Sequence, residues 1–421
     1  MKMSRVRSLL AVCLALCLLL VMLPVMSLSV FAAETPVTLT LSSAAPQDSE
    51  ARYLLYFNLS GATISDLIGS DKNLLWNNNT VYVDGVAATA GVNYTSSGES
   101  MLLCLKYSAV QAGATVASSV TEHLLKIPAG TVLSYDYTVA NDLYFRIKGS
   151  AVTALTPATV TVTSVNDQAN NKRFLNYVTL YDEKGNPCDS QAYSGFTSYL
   201  DGVATTAFSL AQCGSANDGK LYYIFNYSAF NGATSSASLG NHVVELRAGT
   251  VIGSYVLTNS ATIAIRNSKI GIVTSEVTGR PASMSGYSSS QGHWRMSVNF
   301  DQAPTGTGYY HGLTIQTNGV TITDKENCFY RNGNGFMFIC WGSGTSAPAD
   351  GATVVAKAGT AINDGCTAIL HLPEDLTVKY HAASSSWYYQ PIPEASVTLE
   401  LDAASSSALL SLRVFCISSI P

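Results

Sequence analysis

Every second residue is apolar where the chain reads "RYLLYFNLS" from Arg52: Tyr53, Leu55 and Phe57 share one face. The same pattern returns in "RFLNYVTLY" from Arg173 and in "RMSVNFD" from Arg295, 121 and 122 residues further on. Period-two alternation marks a half-buried strand. Of the nine positions on these faces only Asn176 is polar. A turn follows each strand, "VDGV" at 83–86, "LDGV" at 200–203 and "TNGV" at 317–320, spaced 117 and 117. Asp-Gly and Asn-Gly supply the positive φ angles of tight hairpins. Next come second core strands, "LLCLKY", "YYIFNY" and "FMFICW", with Leu103, Leu105, Tyr107, Tyr223, Phe225, Tyr227, Met337, Ile339 and Trp341 facing inward.

A corner completes the unit. "HLLKIPAGTV" (123–132) recurs 119 residues later as "HVVELRAGTV" (242–251) and, altered, as "TVVAKAGTAI" (353–362). Leu125, Ile127, Val244 and Leu246 alternate into a core, and Gly130, Gly249 and Gly359 let the backbone bend before the next strand. The last strands are "LYFRIKG", "TIAIRNS" and "LTVKYHA". No stretch after the N-terminus carries a sustained apolar stripe of helical period. The chain is therefore expected to be all-β, with three tandem β-sandwich domains of about 115–120 residues plus a partial fourth. Units of that length can bury their own cores, unlike solenoid turns. The expected division is 33–155, 156–279, 280–392 and a partial unit at 393–421. The tail "ASVTLELDAASSSALLSLRVFCISSIP" repeats only the opening of a unit, as the front end of a longer protein would, because half a sandwich leaves its strands unpaired.

The first 32 residues differ in kind. Lys2, Arg5 and Arg7 precede a long apolar run, and Val30 and Ala32 suit the −3 and −1 sites of a signal peptidase. Residues 1–32 are expected to be a secretory signal peptide, which makes the mature protein secreted and extracellular, with no membrane segment left after its removal. Losing those three cations takes the net charge from −5 to −8. An acidic chain with 12% charged residues suits neither nucleic acid nor an anionic membrane, both of which need clustered Lys and Arg. Seven cysteines remain, an odd number without common spacing between units, so they read as small apolar side chains and not as a disulfide framework. Cys328 and Cys340 are near enough in sequence to pair across a hairpin.

Catalytic constellations are absent from the sequence, and the reading is not an enzyme. His123 and His242 occupy the same place in their units, the third has Ala352 there, and all read as structural. No metal-ligand spacing occurs and no cofactor is expected. "YDEKGNPCD" (181–189) gathers Asp182, Glu183 and Asp189, which suits a solvated hairpin loop better than a calcium site. The aromatics are more informative. Trp76, Tyr193 and Tyr310 each lie eight residues before the Asp or Asn of the tight turn, in "LLWNNNT", "QAYSGFT" and "GYYHGLT". Trp76, Tyr193 and Tyr310, with Asn77 and Asn78, are the candidate ligand contacts. Aromatic faces beside amides and hydroxyls are what sugar recognition uses. The alternative is that each ring anchors its loop to the sandwich edge.

The corner and the following "DLTVKYHAASSSWYY" resemble repeat modules of large secreted surface proteins of Gram-positive gut bacteria, which read I-x-A-G-T and end in a strand, a small turn and Trp. The match runs through Ala358, Gly359, Thr360, Tyr380 and Trp387; the first two units lack the terminal Trp. The resemblance implies an immunoglobulin-like or carbohydrate-module-like sandwich within adhesins or carbohydrate-active enzymes, and no catalytic residue. The expected function is accordingly a secreted or cell-wall-associated surface protein, its modules recognising a glycan or a host or matrix ligand. Two alternatives stand beside it: a passive stalk, or accessory domains of a larger glycan-degrading enzyme. Binding predicts exposed rings at the three aromatic positions, whereas a stalk predicts buried rings and short, stiff junctions near 151–157 and 275–281.

Overall fold

A computed structural model of the chain describes residues 35–68, 79–94, 100–134, 137–288, 293–300, 309–322, 329–332, 336–343, 349–381 and 386–389. The expected signal peptide (1–32) and the partial fourth unit (393–421) lie outside these residues. The protein is built almost wholly of strands in several sheets. The described residues divide into two compact units: those from 35 to 275 together with 362–369, and those within 276–361 together with 370–389.

The first unit holds two sequence repeats. The first repeat contributes β1 (Thr35–Gln47), β2 (Arg52–Ser60), β3 (Asn79–Val83), β4 (Val86–Tyr94), β5 (Met101–Lys106), β6 (His123–Ile127), β7 (Val132–Ser134), β8 (Tyr137–Val139) and β9 (Leu143–Lys148). Then comes β10 (Ala151–Ser164). The second repeat contributes β11 (Asp167–Gln168), β12 (Arg173–Asp182), β13 (Ser198–Leu200), β14 (Val203–Thr205), β15 (Ser209–Gln212) and β16 (Lys220–Asn226). It closes with β17 (Asn241–Leu246), β18 (Val251–Ile252), β19 (Tyr255–Leu257), β20 (Ala261–Arg266) and β21 (Lys269–Ile272).

In the first repeat one layer runs β4-β5-β2-β1-β8-β7 and the other β3-β6-β9-β10. β4 passes between them, pairing β3 through residues 86–90 and β5 through 91–94. The layers meet over Tyr53, Leu55, Phe57, Leu103, Leu105, Tyr107, Leu125 and Ile127, all with no exposed surface. The rings of Phe57 and Phe145, one from each layer, cross edge to face at 5.7 Å. In the second repeat β15-β16-β12-β10 faces β14-β13-β17-β20-β21. Phe174, Val178, Tyr223, Phe225, Tyr227, Val244 and Leu246 fill that core. Asn176, the polar member of its strand face, is fully buried and donates from Nδ2 to the Tyr223 carbonyl at 3.0 Å.

The tight turns form as their residues dictate. Asp84 and Gly85 have φ of 50° and 80°, Asp201 and Gly202 of 51° and 80°, Asn318 and Gly319 of 47° and 80°. Two positive φ angles in succession give the hairpin turn whose twist matches its strands.

β10 belongs to both repeats. Residues 151–155 pair antiparallel with β9; residues 156–158 then run parallel to β19, and 158–164 pair antiparallel with β12. β1 makes the equivalent pairs with β8 and β2 in the first repeat, and the bulge between Leu41 and Ser43 recurs between Val162 and Ser164. Further along the chain, strands from Ser275–Ser288 to Ala368–Leu372 pair into a closed barrel, and a five-stranded sheet is formed by residues of the second unit.

Candidate ligand-binding cleft

The tight turns are clamped to the neighbouring strand by their own Asp or Asn. Asp84 N–H donates to the Leu124 carbonyl at 2.9 Å, and Leu124 N–H donates back to Asp84 Oδ1 at 2.8 Å. Asp201 and Val243 repeat the exchange at 2.8 and 2.8 Å. In the third repeat Asn318 and Thr353 do the same at 2.9 and 2.8 Å. The two histidines complete the clamp where an aspartate is present. His123 Nδ1 lies 2.6 Å from Asp84 Oδ2, and His242 Nδ1 lies 2.7 Å from Asp201 Oδ2. His242 Nε2 also faces the Leu239 carbonyl at 2.8 Å, so both ring nitrogens need a proton to be satisfied. The Asp201 hydrogen bond raises the His242 pKa, against the opposing effect of burial. These histidines are structural, as the sequence suggested, but their aspartate partners were not foreseen. The signal was present: an Asp-Gly turn in each unit that has the histidine, and Asn-Gly where Ala352 replaces it.

Around this clamp the outer face of the first repeat's second sheet carries two rows of side chains. One row is Tyr82, Lys126, Tyr144 and Leu155; the other is Asp84, Leu124, Arg146 and Thr153. They alternate with the core-facing Val83, Leu125 and Phe145, as period two requires. A cleft of about 810 Å³ opens over this face. Its other wall belongs to the second repeat, chiefly residues 195–199 and 247–251. Volumes of about 300–1,000 Å³ are typical of small-molecule sites.

The junction itself has an apolar contact. Tyr144, Leu155 and Val256 are buried together, with Leu124 and Val251 packed beside them. The corner after Gly249 therefore does more than turn the chain, since it seats the second repeat on the sheet of the first. Gly253, at φ 60°, lets Tyr193 pack beneath this corner, because a Cβ there would stand 2.4 Å from Tyr193 Cε1.

Charges line the opening. Lys126 Nζ lies 2.7 Å from Asp142 Oδ2 and 5.4 Å from the Tyr144 ring centre, and the Asp142 hydrogen bond raises its pKa. Arg247 stacks 3.7 Å over the Tyr199 ring and pairs with Glu245 at 2.6 Å. Glu122 pairs with Lys148 at 3.1 Å. Arg146 differs: its guanidinium reaches the Gly253 carbonyl at 3.4 Å, and among the described residues it is paired with no carboxylate.

The sequence-predicted contacts fall elsewhere. Trp76, Asn77 and Asn78 lie outside the described residues. Tyr193 is 7% exposed: its hydroxyl donates to the Asp189 carbonyl at 3.0 Å and its backbone bridges to Leu210. Its ring is wedged beneath Gly253, so this aromatic anchors a loop to the sandwich edge. Tyr310 is 1% exposed. The expectation of exposed rings fails at both described positions, and neither presents a face for stacking. The half-buried rings of Tyr82 and Tyr199, which the sequence did not single out, line the cleft instead.

The acidic loop at 181–189 closes on itself. Asp182 Oδ1 accepts the Lys184 and Asn186 N–H groups at 2.9 and 2.7 Å, and Oδ2 accepts Asn186 Nδ2 at 2.9 Å. These bonds hold its carboxyl below the usual range. Among the described residues no group of three or more His, Cys, Asp and Glu side chains is placed to hold a metal. Cys104, Cys188, Cys213 and Cys366 are free thiols.

No family model matches the chain, and no curated protein matches it. Solved structures that align along it include the I9–I11 tandem of titin, at 11% identity, covering 80% of this chain and 98% of that one with a TM-score of 0.18. The Escherichia coli adhesin FdeC aligns at 13% identity over 83% and 97%, with a TM-score of 0.18. A 1.5-MDa bacterial ice-binding adhesin aligns at 11% over 81% and 98%, with a TM-score of 0.16. Superpositions this loose carry no argument about fold or function, so the architecture rests on the strand pairings above.

Proposed function

We propose that this chain is a rigid spacer in a secreted bacterial surface protein, a run of β-sandwich repeats that holds other parts of the assembly at a set distance. The observation that carries the reading is β10. One unbroken strand of 14 residues is a member of two successive sandwiches, so the first junction contains no linker. Bending there would break ladder hydrogen bonds on both sides and expose Leu155 and Val256, which are 6% and 0% exposed. Independent motion is the default for linked domains, and a shared strand with an apolar contact removes it. The buried rings of Tyr193 and Tyr310 agree with this reading. Secretion is proposed from the N-terminal sequence.

Amide relaxation measured by NMR on the full chain tests the proposal. A spacer requires the amides of the first and second repeats to report one common tumbling time. A chain with a flexible Gly-Ser segment inserted between Thr156 and Pro157 should show two faster ones. Separate, shorter tumbling times in the unmodified chain would defeat the reading.

A further inference from the structure

The cleft over the first repeat's outer sheet has no part in spacing, and its chemistry is specific. We infer that it binds a carboxylate-bearing saccharide, with Arg146 taking the acid group and Tyr82 and Tyr199 flanking the sugar rings. Lys126, Lys148 and Arg247 already sit against Asp142, Glu122 and Glu245. Arg146 brings a cation to the same opening with only a long bond to a carbonyl, so its fork of N–H donors is available to a ligand. A planar guanidinium matches a carboxylate with two parallel hydrogen bonds, the strongest neutral-pH pairing a side chain offers.

The remaining lining selects a sugar over a simple anion. Tyr82 from β3 and Tyr199 from β13 each expose part of a ring, and the negative face of a tyrosine attracts the polarised C–H bonds of a pyranose. Thr197 brings a hydroxyl to the same space, and the exposed carboxylate of Glu122 brings an acceptor for sugar hydroxyls. The equivalent face of the second repeat has Ala264 at the Arg146 position and Thr262 at the Tyr144 position, so the second repeat does not carry this chemistry. The site exists only while β10 holds the two repeats in place and therefore rests on the spacer reading. Repeats that tumble separately defeat both ideas, while a rigid chain that ignores the sugar defeats only this one.

Calorimetric titration of the full chain with trigalacturonic acid is the test, beside the neutral trisaccharide maltotriose and the peptide triglutamate. The expected result is saturable binding of the acidic sugar alone, weakened about tenfold or more in R146Q, as loss of a charge-assisted bidentate pair requires. Y199A should weaken it as well. No saturable binding, equal binding of maltotriose, equal binding of triglutamate, or unchanged affinity in R146Q would each overturn the proposal. Should R146Q melt early, the unmodified chain still decides. Its affinity must fall severalfold between about 50 and 500 mM salt, and salt-independent binding would exclude a role for the guanidinium charge.

Discussion

The outer sheet faces of the first and second repeats are the same surface built twice, and they meet opposite fates. On the first, the rows read Tyr82, Lys126, Tyr144, Leu155 and Asp84, Leu124, Arg146, Thr153. On the second they read Tyr199, Glu245, Thr262, Val273 and Asp201, Val243, Ala264, Gly271. Past the shared tyrosine and aspartate, all six remaining positions are smaller in the second repeat, and at one of them Glu245 also reverses the charge of Lys126. The consequence is direct. Residues 362–369 lie down on the second face, where Val243, Ala264, Ile362, Cys366 and Ile369 bury one another and Arg266 pairs with Asp364 at 3.1 Å. On the first face Tyr144 and Leu155 are buried against Val256, and a cleft stays open beside them over Tyr82, Lys126 and Arg146. Side-chain length on one sheet face thus separates a junction packed throughout from one that keeps an open cleft.

Exchanging residues between the faces should break this contrast, most severely through Ala264→Arg. Ala264 is 0% exposed, so the substitution forces a guanidinium into a packed apolar contact. Overpacking and an unpaired buried charge together should cost about 3–5 kcal/mol, relieved in part by expelling residues 362–369. Denaturant unfolding gives the cost. Hydrogen exchange should show lost protection at Thr274 and Cys366, whose N–H groups donate to Thr367 and Asn363. Unchanged protection would mean that the face tolerates a long side chain and that length is not the determinant.

Gly271→Thr, which imports the residue at Thr153, comes next. A Cβ at Gly271 would stand 2.5 Å from the Cys366 carbonyl oxygen and 2.7 Å from that of Gly365, both backbone atoms. The strand must separate from residues 365–366, with an expected loss of about 1–3 kcal/mol. A melt indistinguishable from the unmodified chain would show that this contact contributes nothing to stability.

Much of this architecture was legible in the sequence, because strands and tight turns are local. Alternation in "RYLLYFNLS" and "RFLNYVTLY" placed Tyr53, Leu55, Phe57, Phe174 and Val178 in cores, and Asp-Gly pairs located the hairpins. The corner was recognised as a bend but not as the element that seats one repeat on its neighbour. That contact depends on residues far apart, such as Tyr144 and Val256, whose burial no periodicity reveals. The cleft was hidden for a related reason. Alternation labels Tyr82, Lys126 and Arg146 as solvent-facing, and only the fold shows that a second wall stands opposite. Tyr193 misled in the other direction: its polar neighbours suggested a binding loop, yet its partner is the glycine corner at Gly253, 60 residues away.

The clamps shared by both faces offer a gentler test, because the third repeat already carries the variant. Asp201→Asn copies Asn318, which keeps the backbone exchange through Oδ1. What is lost is the bond that His242 Nδ1–H donates to Asp201 Oδ2. A histidine with a raised folded pKa contributes stability that is complete below the unfolded value of about 6.5 and disappears as pH rises through the folded value. The melting temperature of the unmodified chain should therefore decline through that window. In Asp201→Asn the decline should flatten, with a deficit of about 1 kcal/mol at pH 5.5 that shrinks towards pH 8. A deficit that grows with pH would show that the aspartate acts on something other than the imidazolium.

The smallest effect on stability is expected where the inferred chemistry is greatest. Arg146→Ala removes a half-buried guanidinium whose one described bond, to the Gly253 carbonyl, is 3.4 Å long, so unfolding should shift by no more than about 0.5 kcal/mol. Its counterpart Ala264→Arg is expected to be several times more costly, although the two changes are mirror images on equivalent strands. A large loss in Arg146→Ala would mean that the arginine seats the Gly253 corner and is structural. A silent change in stability would leave its guanidinium to the cleft, because an arginine on an edge between two walls then has no structural reason to be there.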